Sequence, residues 1–222
     1  MEWSWQVALD VLPQMAQGLV ITIEATFIGA ILAYALGLML AILRMSKSRA
    51  ISLTTYWVSE FIRRTPLLVQ LYFLFYVLPD LGLFLSPLAA GILGLGLHFS
   101  TYTSEVFRAG IENVPHGQWE AAKSLNYKPY QTMRYVILPQ AIPPMIPPLA
   151  NYLITMFKET PLLSAITVVE LFNAANIYSN SHYKYLEPMT LVGAFFLIVS
   201  IPSAYIAMRL EKKYQRRGGG SV

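Results

Sequence analysis

Residues 19–43 read LVITIEATFIGAILAYALGLMLAIL, and Glu24 is the only charged side chain among them. A transmembrane α-helix needs about 20 mainly apolar residues, so this run is long enough to cross a bilayer. It is apolar all round rather than along one stripe, which a helix on the surface of a soluble core does not require. Residues 1–13 contain no Lys or Arg, so a cleaved signal peptide is not evident. We therefore expect the run to remain in the protein as a membrane anchor.

The overall composition supports the same class. Hydrophobic residues make up 55% of the 222 positions and charged residues only 13%, whereas soluble domains carry about 25% charged residues. Mean hydropathy is +0.49. The chain contains no cysteine, which excludes disulfides, thiol catalysis and thiolate metal sites. These values predict a single membrane domain.

Four further stretches are candidate spans, namely 66–79, 87–107, 137–157 and 186–208. Stretch 66–79 is short, because a helix of 14 residues rises only about 21 Å. We expect it to recruit residues before Pro66, which would bring Arg63 and Arg64 near one membrane face. Stretch 137–157 contains five prolines, so we expect its first half to be kinked or irregular. The sequence thus predicts an all-α polytopic membrane protein with about five transmembrane helices.

The distribution of Lys and Arg predicts the orientation of these spans in the membrane. With the C-terminus in the cytoplasm, segments 44–64, 108–135 and 209–217 hold 14 of the 16 Lys and Arg residues, as the positive-inside rule requires. The predicted domains are an external segment 1–18, a transmembrane domain 19–212 with a cytoplasmic loop at about 112–135, and a cytoplasmic tail 213–222. Segment 159–185 is expected to form a short helix at the outer face, and 218–221 (GGGS) to be flexible.

The longest hydrophilic stretch between spans contains Glu120-Ala121-Ala122, then Asn126, then 136–139 (VILP). Residues 118–125 are good helix formers. Asn126 stands where a helix would end in a left-handed residue, a role that Gly fills most often and Asn next. A short cytoplasmic helix is therefore predicted, and its small Ala121 and Ala122 would allow close approach by another molecule.

This loop resembles the EAA loop of permease subunits of type I ATP-binding-cassette (ABC) importers. That pattern is Glu-Ala-Ala, three residues, Gly, nine residues and Ile-x-Leu-Pro, and its spacing fits this chain throughout. Asn126 replaces the Gly and Val136 replaces the Ile. Both changes are physically mild, since Asn tolerates positive φ and Val keeps a β-branched apolar side chain.

The resemblance covers roughly residues 15–212 and points to the polar amino-acid branch of that family. The matching stretches are 63–70 (RRTPLLVQ), Tyr102 with 105–108 (EVFR), 114–119 (VPHGQW) and 158–160 (KET). Arg64 departs from the branch, where Gly is usual.

The resemblance implies a mechanism and a set of partners. Two permease subunits, identical or paralogous, would pair in a bacterial inner membrane, each docked on an ABC ATPase subunit, and an external solute-binding protein would deliver substrate. The residues that would couple to the ATPase are Gly117, Glu120, Ala121, Ala122, Leu125 and Asn126. The chain would be a transporter subunit and not an enzyme. ATP and Mg would bind the partner, because this sequence has no phosphate-binding Gly-x-x-x-x-Gly-Lys motif. No nucleic-acid partner is expected.

The substrate class follows from the same resemblance. It indicates polar amino acids, as in permeases for histidine, glutamine or arginine, or zwitterionic solutes such as ectoine and hydroxyectoine. The residues expected along the substrate pathway are Tyr102, Lys158, Glu159, Thr160 and Ser164. Lys158 beside Glu159 offers both charge signs to a zwitterion. A straight helix from Ile137 would put Lys158 near the outer face, and the alternatives are a mutual salt bridge or a pair that snorkels outward.

Other charged residues receive plainer interpretations. Glu24 is expected to be protonated or to face the membrane interface, and Glu105 to pair with Arg108 on one helix face. Arg63 and Arg64 would contact lipid headgroups or the ATPase. The three histidines show no metal-ligand spacing, so we interpret them as incidental and expect no metal site.

Two other functions remain open at this stage. A self-contained channel or ion-driven carrier would predict internal repeats and ionisable residues in several spans, and a membrane enzyme would need a catalytic set that the sequence does not display. The loop could also be a solvated basic segment that only orients the protein.

Overall fold

The computed structural model describes residues 3–218, with side chains described through residue 214. Within that range the chain is all-α, as predicted, and contains no strand. Its α-helices are α1 Trp5–Arg44, α2 Arg49–Arg64, α3 Leu67–Tyr72, α4 Pro87–Glu112, α5 His116–Ser124, α6 Pro129–Gln131, α7 Leu138–Glu159, α8 Leu171–His182 and α9 Leu186–Gly218. Two π-helical turns, Phe73–Val77 and Thr132–Ile137, and two 3₁₀ helices, Leu78–Leu81 and Thr160–Ile166, join them.

Every predicted span is helical, although the spans differ in length and shape. In the described part of the chain, α1 and the Leu186–Tyr214 part of α9 are each long and apolar enough to cross a membrane. Two bent pairs qualify when each is taken as one span, namely Arg49–Arg64 with Leu67–Leu81 and Pro129–Ile166 with Leu171–His182. Helix α4 has 26 residues, but its polar second half keeps it out of this group, so the described residues hold up to four such segments, which roughly matches the prediction of about five.

Helices α1 and α4 form the central pair and run parallel. Gly29 faces Leu95, and Gly37 faces Thr103, where any added Cβ would overlap the threonine side chain. Thr103 donates a hydrogen bond from its hydroxyl to the carbonyl of Ala33 at 3.0 Å. Small residues at these positions let the two backbones approach, which is how helices pack without a hydrophobic driving force in lipid.

The second span is sharply bent at Pro66. Helix α2 ends at Arg64, and the following stretch turns away from it by 99°. The cause is local, because the residue before a proline is driven out of the helical region, and Thr65 adopts φ −91° and ψ 137°. The stretch is long enough to cross a membrane only together with α2, which agrees with the prediction that it recruits residues before Pro66, whereas the bend was not predicted.

Helix α7 is continuous, which corrects the expected irregularity of its first half. Four prolines lie inside it, and the irregular turn precedes it at Thr132–Ile137. Proline removes a backbone donor and leaves a carbonyl without its helical partner. Pro144 and Pro148 border a cavity, which is where incomplete backbone bonding is tolerated at membrane depth.

The packing of α7 on α4 sets the level along α4 at which Lys158 lies. Three contacts mark an antiparallel register: Gly110 with Met145, Tyr102 with Tyr152, and Gly91 with Leu163. By interpolation Lys158 lies level with residue 96, roughly 13 Å from the start of α4 at Pro87. Lys158 therefore lies beside the apolar N-terminal half of α4 rather than level with its start, and its expected position near the outer face stays a prediction.

The two ends of the predicted transmembrane domain fall inside helices. The boundary at 18/19 lies within α1, and the boundary at 212/213 lies within α9, which includes Gly218. The remaining glycine-rich residues 219–221 lie outside the described range, as do Met1 and Glu2. The N-terminal part of α1 packs against α8 and α9 through a cluster that includes Met15, Leu171 and Tyr178.

Segment 159–185 contains two helical pieces rather than one short helix. A 3₁₀ helix, Thr160–Ile166, precedes α8. Glu170 caps α8 by accepting hydrogen bonds from the backbone N–H groups of Phe172 and Asn173 at 2.8 and 2.7 Å. Its backbone also abuts Gly18. Helix α8 is thus locked against α1 rather than lying free on the surface.

Candidate coupling helix and transport pathway

The end of α5 has the geometry that the sequence predicts. Asn126 adopts φ 57°, in the left-handed region. The N–H of Tyr127 donates to the carbonyl of Ala122 at 3.1 Å, and the N–H of Asn126 donates to Lys123 at 2.9 Å. This pair of bonds is the Schellman motif, which satisfies carbonyls at a helix end. The predicted short helix and its termination at Asn126 are confirmed.

The two alanines of the loop face opposite ways. Ala122 is only 1% exposed, whereas Ala121 is exposed. Ala122 therefore packs into its own chain, which corrects the expectation that both alanines admit a partner. The exposed side of α5 presents Glu120, Ala121 and Leu125, whose side chain is 68% exposed.

Gly117 also lies on the open side of α5. A Cβ added there would meet no atom within 4 Å in the described part of the chain. Packing within this chain therefore gives no reason for a glycine at this position. Of the other residues predicted to couple to the ATPase, some are exposed, like Glu120, and others are buried against the rest of the chain, like Ala122.

Helix α5 is attached to both helices that line the pathway described below. Half-buried Trp119 packs on a cluster that includes Ile111 of α4 and Ala141 of α7. The side chain of Gln140 donates to the side-chain oxygen of Gln118 at 3.2 Å. A displacement of α5 would consequently reach α4 and α7 directly.

A charged cavity of about 620 Å³ lies where α2, α3, α4 and α7 meet. It brings together three of the five residues predicted for the pathway, Tyr102, Lys158 and Glu159. The other two turn away from it. Thr160 is buried and donates to the carbonyl of Phe157 at 2.8 Å, and Ser164 donates to the carbonyl of Pro161 at 2.7 Å.

Lys158 and Glu159 keep their charges available. No ion pair joins them to each other or to any other residue that the structure describes, so the alternative of a mutual salt bridge does not hold. Lys158 is exposed in the single chain and Glu159 is half-buried. Both charge signs therefore border one cavity without cancelling.

Arg63 also lines this cavity, next to Arg64, although the sequence suggested lipid or ATPase contacts for both. The guanidinium of Arg63 donates to Glu60 at 2.9 Å, to the carbonyl of Thr101 at 2.7 Å and to Glu105 at 3.3 Å. The guanidinium carbon lies 5.5 Å from the centre of the Tyr102 ring. The spacing from Glu60, three residues earlier, is the sequence signal that indicated an inward pair.

His98 lines the same cavity, although the lack of a metal-ligand spacing favours an incidental role for it. Its side chain is only 8% exposed, its ring lies 5.3 Å from that of Tyr102, and its Nδ1 has no hydrogen-bond partner among the described residues. The sequence does carry a signal for His98, because it is the first strongly polar residue along an apolar span.

Glu105 joins three arginines just beyond the cavity. The predicted pair with Arg108 is confirmed at 2.7 Å. The same carboxylate accepts from Arg44, at the end of α1, at 2.9 Å and from Arg63, at the end of α2. The ion pairs therefore tie α1, α2 and α4 together.

A second, inner cavity of about 400 Å³ lies toward α5, bordered by Glu105, Asn113 and Tyr152 among others. Among the described residues, Tyr102 alone lines both this inner cavity and the charged cavity. Its ring lies 5.7 Å from that of Tyr152. The tyrosine pair thus stands between the two spaces.

Comparison with known proteins gives consistent matches over nearly the whole chain. The family model "Binding-protein-dependent transport system inner membrane component" matches residues 33–216. A probable amino-acid ABC transporter permease, y4tG of Sinorhizobium fredii, is 43% identical over 95% of this chain and 91% of its own. The putative glutamine transport system permease GlnP of Rickettsia prowazekii is 34% identical over 89% and 91%.

Two solved structures have the same fold. A chain from the crystal structure of an amino acid ABC transporter with histidines is 33% identical, with a TM-score of 0.88 over 96% of this chain and 100% of that chain. A chain from the inward-facing MetNI methionine ABC transporter superimposes with a TM-score of 0.76 over 90% and 96%, and at 17% identity it bears on the fold alone.

Proposed function

This chain belongs to the family of inner membrane components of binding-protein-dependent transport systems, and from that premise we propose that it imports polar amino acids or related small zwitterions. The charged cavity carries the proposal. It offers an ammonium group on Lys158 and a carboxylate on Glu159, neither of them neutralised within the described chain. Relatives named as amino-acid and glutamine permeases support the same substrate class.

A zwitterion would lie with its carboxylate toward Lys158 and its ammonium group toward Glu159. Attraction between opposite charges is stronger in a low-dielectric interior than in water. The cavity volume of about 620 Å³ falls within the range typical of small-molecule sites. Ectoine-like solutes and amino acids share this charge pattern, so the cavity supports the class rather than one member.

ATP-driven closure of a partner ATPase would act through α5. The exposed Gly117, Glu120, Ala121 and Leu125 would dock on that partner, which would bind ATP and Mg²⁺. Ala122 and Asn126 would hold α5 in shape rather than touch the partner. Rigid-body motion of α5 would then shift α4 and α7 between two states. A second permease subunit and an external solute-binding protein complete the proposed assembly, with the N-terminus outside and the C-terminus in the cytoplasm.

The substrate would pass from the charged cavity to the inner cavity and then leave beside α5. Tyr102 and Tyr152 stand at the junction, so they would have to separate for passage. Along this route the ionisable side chains line the interior of the protein rather than its lipid-facing surface. Charged residues inside a membrane normally serve transport.

Coupling is tested with Glu120→Arg and Leu125→Asp. The full chain would be co-expressed with ATPase subunits encoded by neighbouring genes, and the complex recovered by affinity purification. We expect at least tenfold less ATPase to be recovered with either variant, because both change the exposed side of α5. Lys128→Gln, in the loop after α5, is the matched control and should leave recovery unchanged. A complex of normal yield with both α5 variants would contradict the coupling assignment.

Substrate recognition is tested with Lys158→Met and Glu159→Gln in the reconstituted complex. The readout is ATPase stimulation by a panel of amino acids and ectoines. Loss of one charge-assisted hydrogen bond is worth about 1.5–3 kcal/mol, so we expect the half-stimulating concentration to rise roughly 10- to 100-fold. Ser164→Ala serves as the control, since its hydroxyl is bonded away from the cavity. Normal stimulation in both charge variants would refute the site. Uptake without any ATPase would instead favour a self-contained carrier.

A further inference from the structure

The polarity of α2 is reversed relative to a helix of a soluble protein. The side facing the rest of the chain carries Thr55, Ser59 and Glu60, which are 8%, 0% and 9% exposed. The outward side is apolar, and its large side chains are 44–71% exposed: Ile51, Leu53, Trp57, Val58 and Phe61. A surface helix in water shows the opposite arrangement. The outward side of α2 therefore needs an apolar environment.

The position of α2 places that side at a membrane boundary. Helix α2 crosses the stretch Leu67–Leu81 at 99°, and that stretch runs alongside α4, with Leu71 against Gly94. Helix α2 therefore lies nearly perpendicular to the spans. Ser52 donates to the carbonyl of Arg44 at 2.7 Å, so α2 begins level with the end of α1.

An apolar groove continues the exposed side of α2 around the bend into α3. Its volume is about 360 Å³, and its lining includes Phe61 and Ile62 of α2 with Val69, Phe73 and Leu97. The groove thus offers a recess of apolar side chains at the level of the membrane interior. A polar partner surface would lose hydrogen bonds on entering it.

Basic residues flank the same side. Lys47 and Arg49 are exposed at the start of α2, and neither forms an ion pair with a residue that the structure describes. At the other end, Arg64 is 78% exposed, donates its Nε to Glu60 and also borders the charged cavity, so the free basic residues of this side are those at the start of α2. Apolar side chains flanked by basic ones are the mark of a helix that lies in the headgroup region of a bilayer.

We propose that α2 is an interfacial helix that binds anionic phospholipid. Acyl chains cover Trp57 and Phe61 and enter the groove, and anionic headgroups contact Lys47 and Arg49. The occupant is lipid rather than a second protein subunit. The assignment to the cytoplasmic leaflet follows from the orientation proposed above, whereas lipid binding itself does not depend on it.

This lipid contact is connected to the charged cavity. Glu60 accepts from Arg64, which is exposed, and from Arg63, which lines the cavity. Arg63 in turn reaches Glu105. A change in how α2 sits in the bilayer would therefore move a residue of the transport pathway.

The test uses the fluorescence of Trp57. A full-length chain with Trp3→Phe, Trp5→Phe and Trp119→Phe retains Trp57 alone and would be reconstituted, with and without its partner subunits, into vesicles of phosphatidylcholine or phosphatidylglycerol brominated on the acyl chains. Contact with lipid quenches Trp57, and we expect quenching of at least half in both preparations. A chain that retains only half-buried Trp119 is the matched control and should be quenched far less. Unquenched Trp57, or quenching lost on assembly, would show that a protein subunit covers α2.

A second experiment tests whether α2 prefers anionic headgroups. We expect brominated phosphatidylglycerol to quench Trp57 at lower mole fraction than brominated phosphatidylcholine, and Lys47→Gln with Arg49→Gln to reduce this preference about fivefold per residue. Lys184→Gln, on a distant exposed lysine, should keep it. Equal quenching by both lipids would overturn headgroup binding. Because the chain has no cysteine, Phe61→Cys labelled with a solvent-sensitive dye gives an independent reading if the tryptophan variants do not fold.

Discussion

At the scale of single residues, one carboxylate holds three elements together. Glu105 receives Arg44, Arg63 and Arg108, which arrive from α1, α2 and α4. An arginine left without its acceptor in a partly buried site loses a charge-assisted bond and keeps its desolvation cost. The cluster therefore matters more to packing than a surface pair would.

Replacing Glu105 by Gln should consequently lower the stability of the folded chain by about 1–3 kcal/mol. Glu112→Gln is the matched control, because Glu112 pairs only with Arg108 among the described residues and is about half exposed. It should cost no more than about 1 kcal/mol. Thermal unfolding in detergent measures both. Equal losses of stability in the two variants would show that sharing Glu105 among three arginines adds nothing to the stability of the chain.

His98 presents the opposite situation, a buried polar atom without a partner. Such a group costs about 1–3 kcal/mol when it remains unsatisfied. We expect His98→Leu to raise the unfolding temperature and at the same time to weaken substrate-stimulated ATPase activity, because the imidazole borders the charged cavity. The two measurements should move in opposite directions for this variant. His182→Leu removes a ring already bonded to Tyr178 and should not stabilise the chain.

At the scale of elements, α5 depends on how it ends. Asn126 lies at φ 57°, where an L-residue with a bulky side chain is strained and Gly is not. Asn126 therefore fixes where α5 ends, whereas Glu120 and Leu125 belong to the exposed side that is available to a partner.

Asn126→Gly should keep α5 intact, whereas Asn126→Val should destabilise its last turn by about 1–2 kcal/mol. Hydrogen exchange of the α5 amides reports this fraying directly, and ATPase recovery reports its effect on coupling. Slow exchange retained in Asn126→Val would contradict the role assigned to the left-handed conformation.

At the scale of the whole molecule, two cavities follow one another between α4 and α7, and Tyr102 borders both. The ring of Tyr102 lies 5.7 Å from that of Tyr152, which lines only the inner of the two cavities. Because motion of α5 would reach the same two helices, we expect this tyrosine pair to act as the barrier between the cavities.

Thiol labelling tests that barrier in this cysteine-free chain. A membrane-impermeant reagent added from the α5 side should label Ala109→Cys in the inner cavity but not Leu68→Cys in the charged cavity. Tyr102→Ala should increase labelling of Leu68→Cys from that side at least fivefold, because the separating ring is removed. Tyr76→Ala, outside both cavities, is the control. Labelling of Leu68→Cys that does not depend on Tyr102 would rule out the barrier.

Features that depend on local chemistry could be predicted from the amino-acid sequence. Apolar runs fixed the membrane class, and spacing from Glu120 to Asn126 predicted a helix end that the backbone adopts. The pair of Glu105 with Arg108 followed from helical spacing alone. These features involve neighbours within a turn or two, so periodicity and propensity suffice to predict them.

Which side chains share a cavity depends on how helices that are distant in the sequence pack together. Arg63 turns inward because the bend before Pro66 carries α2 toward Glu105. Lys158 lies beside the N-terminal half of α4 because α7 packs antiparallel on α4, and Ala122 is buried where α5 packs on the turn Thr132–Ile137. Each of these outcomes depends on contacts between different elements, and the apolar pattern of a membrane helix does not specify which helix it will face.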